Sequence, residues 1–220
     1  MLYNHLKKSV AHKVLDYITP NSIIGIGTGT TVSYFIQELG SIKKLIKGTV
    51  SSSISSTICL NNLGIPVFDL NEVGTLSIYI DSADEVNNNL QMIKGGGEAL
   101  TKEKILASVS KKFICIVDES KQVNVLGQFP LPVEIIPMAS SYIISELNKL
   151  GGEAKLRKNV ITDNGNLIVD VYNLNITDPL NMEQKINSFP GVVTVGIFAQ
   201  RKADILLVGT KNGIKTIINN

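Results

Sequence analysis

Short apolar runs that each stop on a polar or glycine-rich block constrain this chain more than any other feature. Ser22-Ile23-Ile24-Gly25-Ile26 breaks into Gly27-Thr28-Gly29-Thr30-Thr31, and Ile78-Tyr79-Ile80 into Asp81-Ser82-Ala83-Asp84-Glu85. Phe113-Ile114-Cys115-Ile116-Val117 breaks into Asp118-Glu119-Ser120-Lys121, and Lys94-Gly95-Gly96-Gly97-Glu98 is a further block of this kind. Runs this short and apolar read as strands buried on both faces. Further strands are predicted around Thr49 and over Pro66 to Phe68, with the run before Asp81 starting at Leu76. Leu6, Val10, Val14 and Ile18 recur at helical spacing ahead of Pro20. Helices are also predicted over Thr31 to Leu39, Ser55 to Asn62 and Glu98 to Val109. The alternation implies an α/β, Rossmann-like three-layer domain built on a parallel sheet.

The punctuation changes near Gly127. Leu131 to Ile136 is a predicted strand, Ser140 to Leu150 a helix closed by Gly151-Gly152, and Asn164-Gly165 a two-residue hairpin turn between Asn159–Ile161 and Leu167–Val169. Pro179 opens a helix that Pro190-Gly191 ends before the strand Val192 to Val195. Strand, helix, strand, strand, helix, strand is the order of a small ferredoxin-like α+β domain. Ala203 to Val208 reads as a strand returning to the first domain. The expected division is therefore 1–126 with 204–220, and 127–203.

Bulk properties exclude several classes. A net charge of +2 is too small for a nucleic-acid surface, and no apolar stretch approaches a membrane span. Lys7, Lys8, Lys13 and Asp16 interrupt the N-terminus, against a signal peptide. Cys59 and Cys115 lack the spacing of a zinc site or disulfide framework, which fits a reducing cytoplasm.

A strand that feeds a glycine-rich turn and then a helix turns unpaired N–H groups toward an anion. The dinucleotide fingerprint fails, because its third glycine would fall at Thr30 or Val32, and no Gly-Lys-Ser or Gly-Lys-Thr is present. What remains is a hydroxyl-rich loop, Thr28, Thr30 and Thr31, suited to a phosphate monoester; a tight turn without ligand is the alternative. Asp81 and Asp84 sit at a strand end where open sheets bind ligands, and close carboxylates exchange protons with hydroxyls. A helix cap at Asp84 and a magnesium site from Asp81, Asp84 and Glu85 stay open. Lys94 beside three glycines suits stabilisation of an oxyanion. Glu103 borders the apolar stripe of its predicted helix, where desolvation would raise its pKa toward that of a general base; a solvated glutamate paired with Lys102 or Lys104 is the plainer alternative. Lys121 lies at the same strand edge as Asp118. His5 and His12 read as solvent-facing.

On these blocks, together with Pro132-Val133-Glu134-Ile135-Ile136-Pro137, Thr162-Asp163-Asn164-Gly165-Asn166 and Pro190-Gly191-Val192-Val193, the chain resembles the A-type ribose-5-phosphate isomerases over nearly its whole length. The resemblance implies aldose–ketose interconversion of ribose 5-phosphate and ribulose 5-phosphate in the non-oxidative pentose phosphate pathway, without metal or organic cofactor, by a cytoplasmic homodimer. It implies Glu103 as the base that carries a proton between C1 and C2 through an enediolate. Asp81, Asp84 and Lys94 match positions for ring opening, hydroxyl proton exchange and enediolate stabilisation. Lys7, Thr28, Gly29, Thr30, Thr31, Ser82, Ala83, Gly95, Gly96, Gly97 and Lys121 match substrate-binding positions. Ser82 and Glu98 stand where the family usually has glycine, Thr30 where it has serine and Val32 where it has alanine; the Glu98 side chain is expected to turn away from the site. An amino-sugar phosphate deaminase would be expected to use a histidine near the reacting carbon, and none follows residue 12. A non-catalytic sugar-phosphate sensor would normally add a DNA-binding segment.

Overall fold

Burial on both faces turns the predicted apolar runs into the strands of a six-stranded sheet. The computed structural model describes residues 2–219. In spatial order the strands are Gly213–Ile218, Ile205–Thr210, Phe113–Asp118, Ile78–Asp81, Ile23–Ile26 and Gly48–Ser51. All pair in parallel except the edge hairpin that joins Ile205–Thr210 to Gly213–Ile218. The core on one side of this sheet joins Val10, Val14, Phe35, Ile36, Leu39 and Leu60 to Ile24, Ile26, Ile80, Ile114 and Ile116. Helix Leu2–Lys13 ends ahead of Pro20, and a 3-10 turn, Val14–Tyr17, continues its apolar side.

The second sheet is antiparallel, in the order Val192–Val195, Leu131–Ile135, Leu167–Tyr172 and Glu153–Leu156. Helices Ser140–Asn148 and Pro179–Asn187 complete the ferredoxin-like arrangement, and Ile143, Leu147 and Ile186 are buried in its core with Val133, Ile135, Val169 and Val171. The anticipated hairpin is corrected. Leu167–Tyr172 pairs with Glu153–Leu156, and residues 159–161 form no strand. Asn159 is left-handed, with φ of 58°, and Thr162 and Asn166 close a small loop through an N–H···O bond of 2.9 Å. Pro66 to Phe68 likewise contributes only an isolated parallel bridge, Thr49 to Val67, where a strand was expected.

The chain divides into two units, Met1–Ser82 with Lys102–Lys121 and Ala203–Asn220, and Ala83–Thr101 with Gln122–Lys202. This differs from the sequence expectation chiefly at 83–101. That stretch joins the second unit because Glu85–Val86 and Met92–Ile93 form a three-stranded sheet with Ile197–Phe198. Such two-residue strands carry no periodicity that a sequence reading can detect.

Glu134 shows how the second unit holds its loops. Its side chain is fully buried in strand Leu131–Ile135. Oε1 accepts from Thr162 Oγ1 at 2.8 Å, Asn166 Nδ2 at 2.9 Å and Asn164 Nδ2 at 3.0 Å, and Oε2 accepts from Thr101 Oγ1. Removing the acceptor strands four donors. Glu134→Ala is expected to cost about 3 kcal/mol, read as a lowered urea midpoint, with Glu134→Gln costing less because it keeps one oxygen.

Candidate active site

In the first unit, the candidate residues gather at the carboxyl ends of the parallel strands. Asp81 ends strand Ile78–Asp81 and is fully buried. Its Oδ1 accepts the Thr28 N–H at 3.2 Å and the Ser82 N–H at 2.7 Å, and its Oδ2 accepts the Tyr79 hydroxyl. Gly27 makes this seat possible: a Cβ there would fall 1.9 Å from the Asp81 carboxyl group. Ser82 donates its hydroxyl to the Thr28 carbonyl at 3.2 Å and so fastens the two strand-end loops together.

Thr28 serves mainly to organise the loop. Its hydroxyl accepts from Ser53 Oγ at 3.0 Å, while Ser56 Oγ donates to the Gly27 carbonyl at 2.8 Å and Ser53 caps helix Ile54–Asn62 by accepting the Ser56 N–H. The serine-rich segment thus buttresses the loop. Gly29 precedes helix Thr30–Leu39 in a left-handed conformation, φ 110°, and the first N–H groups of that helix, from Thr30 and Thr31 onward, lie at its positive end. Lys7 donates to Thr30 Oγ1 at 2.9 Å, which keeps a cation at the same helix terminus. Thr31 is buried, and Lys121 lies half-buried in the 3-10 turn Glu119–Lys121 that follows Asp118.

Glu103 occupies the first turn of helix Leu100–Val109 and is only 2% exposed. It shares the buried stripe with Leu100, Leu106 and Ala107, so it is not a solvated surface glutamate. Burial pushes the Tyr79 phenol well above its ordinary range, reinforced by the negative charges of Asp81 and Glu103 and by its hydrogen bond to Asp81. The Tyr79 hydroxyl thus bonds Asp81 and lies in the field of Glu103. Sequence reading missed it, although Tyr79 and Asp81 alternate onto one face of the strand and the hydroxyl is the one polar group in an otherwise aliphatic run.

In the second unit, Asp84 Oδ2 accepts the Gly96 N–H at 2.8 Å, so it neither caps a helix nor stands free of the glycine loop. The Lys94 backbone is held by an N–H bond of 2.9 Å to the Gly196 carbonyl, and its buried ammonium lies 5.5 Å from the centre of the Phe198 ring. Gly95, φ 111°, packs against Pro132 and Leu100, while Gly96 and Gly97 are exposed and Ala83 is buried. Glu98 adopts φ of 67°, a conformation that favours glycine, and its Oε1 lies 4.0 Å from Arg157 Nη1. Glu85, the third member of the magnesium reading, accepts the N–H groups of Gly127 and Phe129 instead. Among the described residues, no three His, Cys, Asp or Glu side chains form a metal-binding group.

Residues 48–213 match the family profile described as ribose 5-phosphate isomerase A (phosphoriboisomerase A). Ribose-5-phosphate isomerase A of Buchnera aphidicola subsp. Acyrthosiphon pisum, strain Tuc7, is 66% identical over 99% of this chain and 97% of its own. The counterpart from the subspecies Baizongia pistaciae is 65% identical over 99% of this chain and its full length. The crystal structure of ribose 5 phosphate isomerase A from Neisseria gonorrhoeae superposes with a TM-score of 0.97 at 50% identity, covering 99% of this chain and 98% of that one. A D-ribose-5-phosphate isomerase in complex with phospho-erythronic acid gives 0.95 at 41% identity, covering 99% and 100%.

Because the Tyr79 pKa is raised on folding, its stabilisation is complete below the unfolded value of about 10 and is lost as pH climbs toward the higher folded value. An alkaline absorbance titration is expected to show a late-ionising phenol that Tyr79→Phe removes.

Proposed function

The chain belongs to the ribose 5-phosphate isomerase A family, and we infer from that membership that it interconverts D-ribose 5-phosphate and D-ribulose 5-phosphate, a step of the non-oxidative pentose phosphate pathway. The observation that carries the assignment of roles is the chain of groups at one sheet edge. There the Asp81 carboxylate is tied to the Thr28 loop on one side and to Tyr79, in the field of Glu103, on the other.

Glu103 takes the proton from C2 of the open-chain aldose, leaving an enediolate, and returns it to C1 to form the ketose. Its burial suits this task, since a carboxylate with little surrounding water is a stronger base. Asp81 and Asp84 handle the proton exchange of ring opening and of the hydroxyl groups. The Lys94 ammonium balances the negative charge that develops on the enediolate oxygens. The N-terminus of helix Thr30–Leu39, with Thr28, Gly29, Thr30, Thr31 and Lys7, holds the phosphate. Ser82, Ala83, Gly95, Gly96, Gly97 and Lys121 complete the substrate contacts. These steps balance with the chain's own acids and bases, so no cofactor or metal enters them.

The family resemblance supports a homodimer, which sedimentation equilibrium tests. None of the described helices is long and apolar enough to cross a membrane. The free thiols of Cys59 and Cys115 agree with a cytoplasmic location.

A coupled assay for ribulose 5-phosphate tests the activity itself. Glu103→Gln is expected to lower kcat by roughly a thousandfold with ribose 5-phosphate binding retained; near-normal turnover would remove Glu103 from the role of base. Chelation by EDTA is expected to leave kcat unchanged, whereas a loss that magnesium restores would revive a metal mechanism.

A further inference from the structure

The glycine loop has a support that the roles above do not include. Arg157 follows strand Glu153–Leu156, and its guanidinium faces Asp170 on the neighbouring strand Leu167–Tyr172. The two form a forked pair, Nε to Oδ2 at 2.8 Å and Nη2 to Oδ1 at 2.6 Å, with 16% and 11% of their side chains exposed. That pairing leaves Nη1 aimed away from Asp170. It donates to the Gly95 carbonyl at 3.0 Å, with the Gly96 carbonyl at 3.5 Å. The Gly95 carbonyl also accepts the Glu98 N–H at 3.2 Å, so Arg157 holds the oxygen on which the turn closes.

Gly95, Gly96 and Gly97 carry no side chains to fix their path, and glycine has the largest conformational freedom to lose on ordering. A planar guanidinium locked by a carboxylate is a rigid donor where a lysine would be a mobile point charge. We propose that Arg157, anchored by Asp170, is a positioning residue that sets the conformation of the Lys94–Gly97 loop for catalysis. Glu98 belongs to the same device. Its carboxylate is drawn toward Arg157, which accommodates the acid beside the glycines. Burial works against the guanidinium's charge, but the Asp170 hydrogen bonds and the charges of Asp170, Glu98 and Asp84 outweigh it and hold the pKa above its ordinary value.

This inference rests on the reading of Lys94 as the group that meets enediolate charge, so its effect falls on turnover more than on affinity. Arg157→Lys keeps a cation opposite Asp170 and gives up the fork. It is expected to lower kcat about tenfold, and Arg157→Ala about a hundredfold, with KM within about threefold in both. Millimolar guanidinium is expected to restore part of the activity of Arg157→Ala and none to Lys94→Ala. Amide exchange at residues 95–98 is expected to quicken in both arginine variants. If Arg157→Ala does not fold, Arg157→Lys carries the test. Wild-type kcat in Arg157→Lys alongside an inactive Lys94→Ala overturns the inference alone. An active Lys94→Ala overturns the reading of Lys94; exchange at 95–98 then decides, with faster exchange supporting the anchor and unchanged exchange overturning it.

Discussion

The first unit's site depends on the seating of one carboxylate. Burying Asp81 without replacing its water would cost several kcal/mol, and the protein supplies two backbone N–H groups and a phenol instead. Each donor fixes something else in turn. The Thr28 N–H, once committed to Asp81, ties the loop ahead of helix Thr30–Leu39 to the end of strand Ile78–Asp81. The Ser82 N–H bends the chain just past the strand. Tyr79, packed against Phe113 at 4.9 Å between ring centres, feels the negative charges of both Asp81 and Glu103. The bare Cα of Gly27 is the space in which all of this fits.

The second unit repeats the device with other acids. Glu85 holds Gly127 and Phe129, Glu134 gathers the Thr162–Asn166 loop, and Glu183 accepts the N–H groups of Ala199 and Gln200 at 2.9 and 2.8 Å. Asp170 locks Arg157, which holds Gly95. Buried anions surrounded by donors are charge-assisted and directional, so they define loop paths that apolar contacts leave loose. The price is that each partner removed leaves a charge in a dry place.

What was legible in the sequence is what depends on local pattern. The apolar runs of the parallel sheet, the helices between them and the order of the ferredoxin-like unit follow from periodicity and punctuation. The threonine loop and Asp81 stood out because each lay where a strand ended, and Glu103 because it bordered the apolar stripe of its helix. Arg157 was invisible, since a lone arginine after a strand looks like any surface cation, and its partner Asp170 is reached through strand pairing. Residues 83–101 were misassigned for the same reason: their pairing with Ile197–Phe198 is set by tertiary structure. Asn164-Gly165 gave a true turn signal but the wrong strands, because the acceptor around which that turn closes is Glu134, thirty residues earlier in the chain.

The order of the six-stranded sheet carries a consequence for biosynthesis. Phe113–Asp118 is flanked on one side by Ile205–Thr210, and the Asp204 carboxylate accepts the Phe113 N–H at 2.6 Å. Until that last segment leaves the ribosome, the nascent chain presents a strand that is apolar up to Asp118 with one open edge, the template on which foreign strands stack. The ribosome must complete the whole ferredoxin-like unit during this interval, so the speed of its translation sets how long the half-built sheet stays vulnerable.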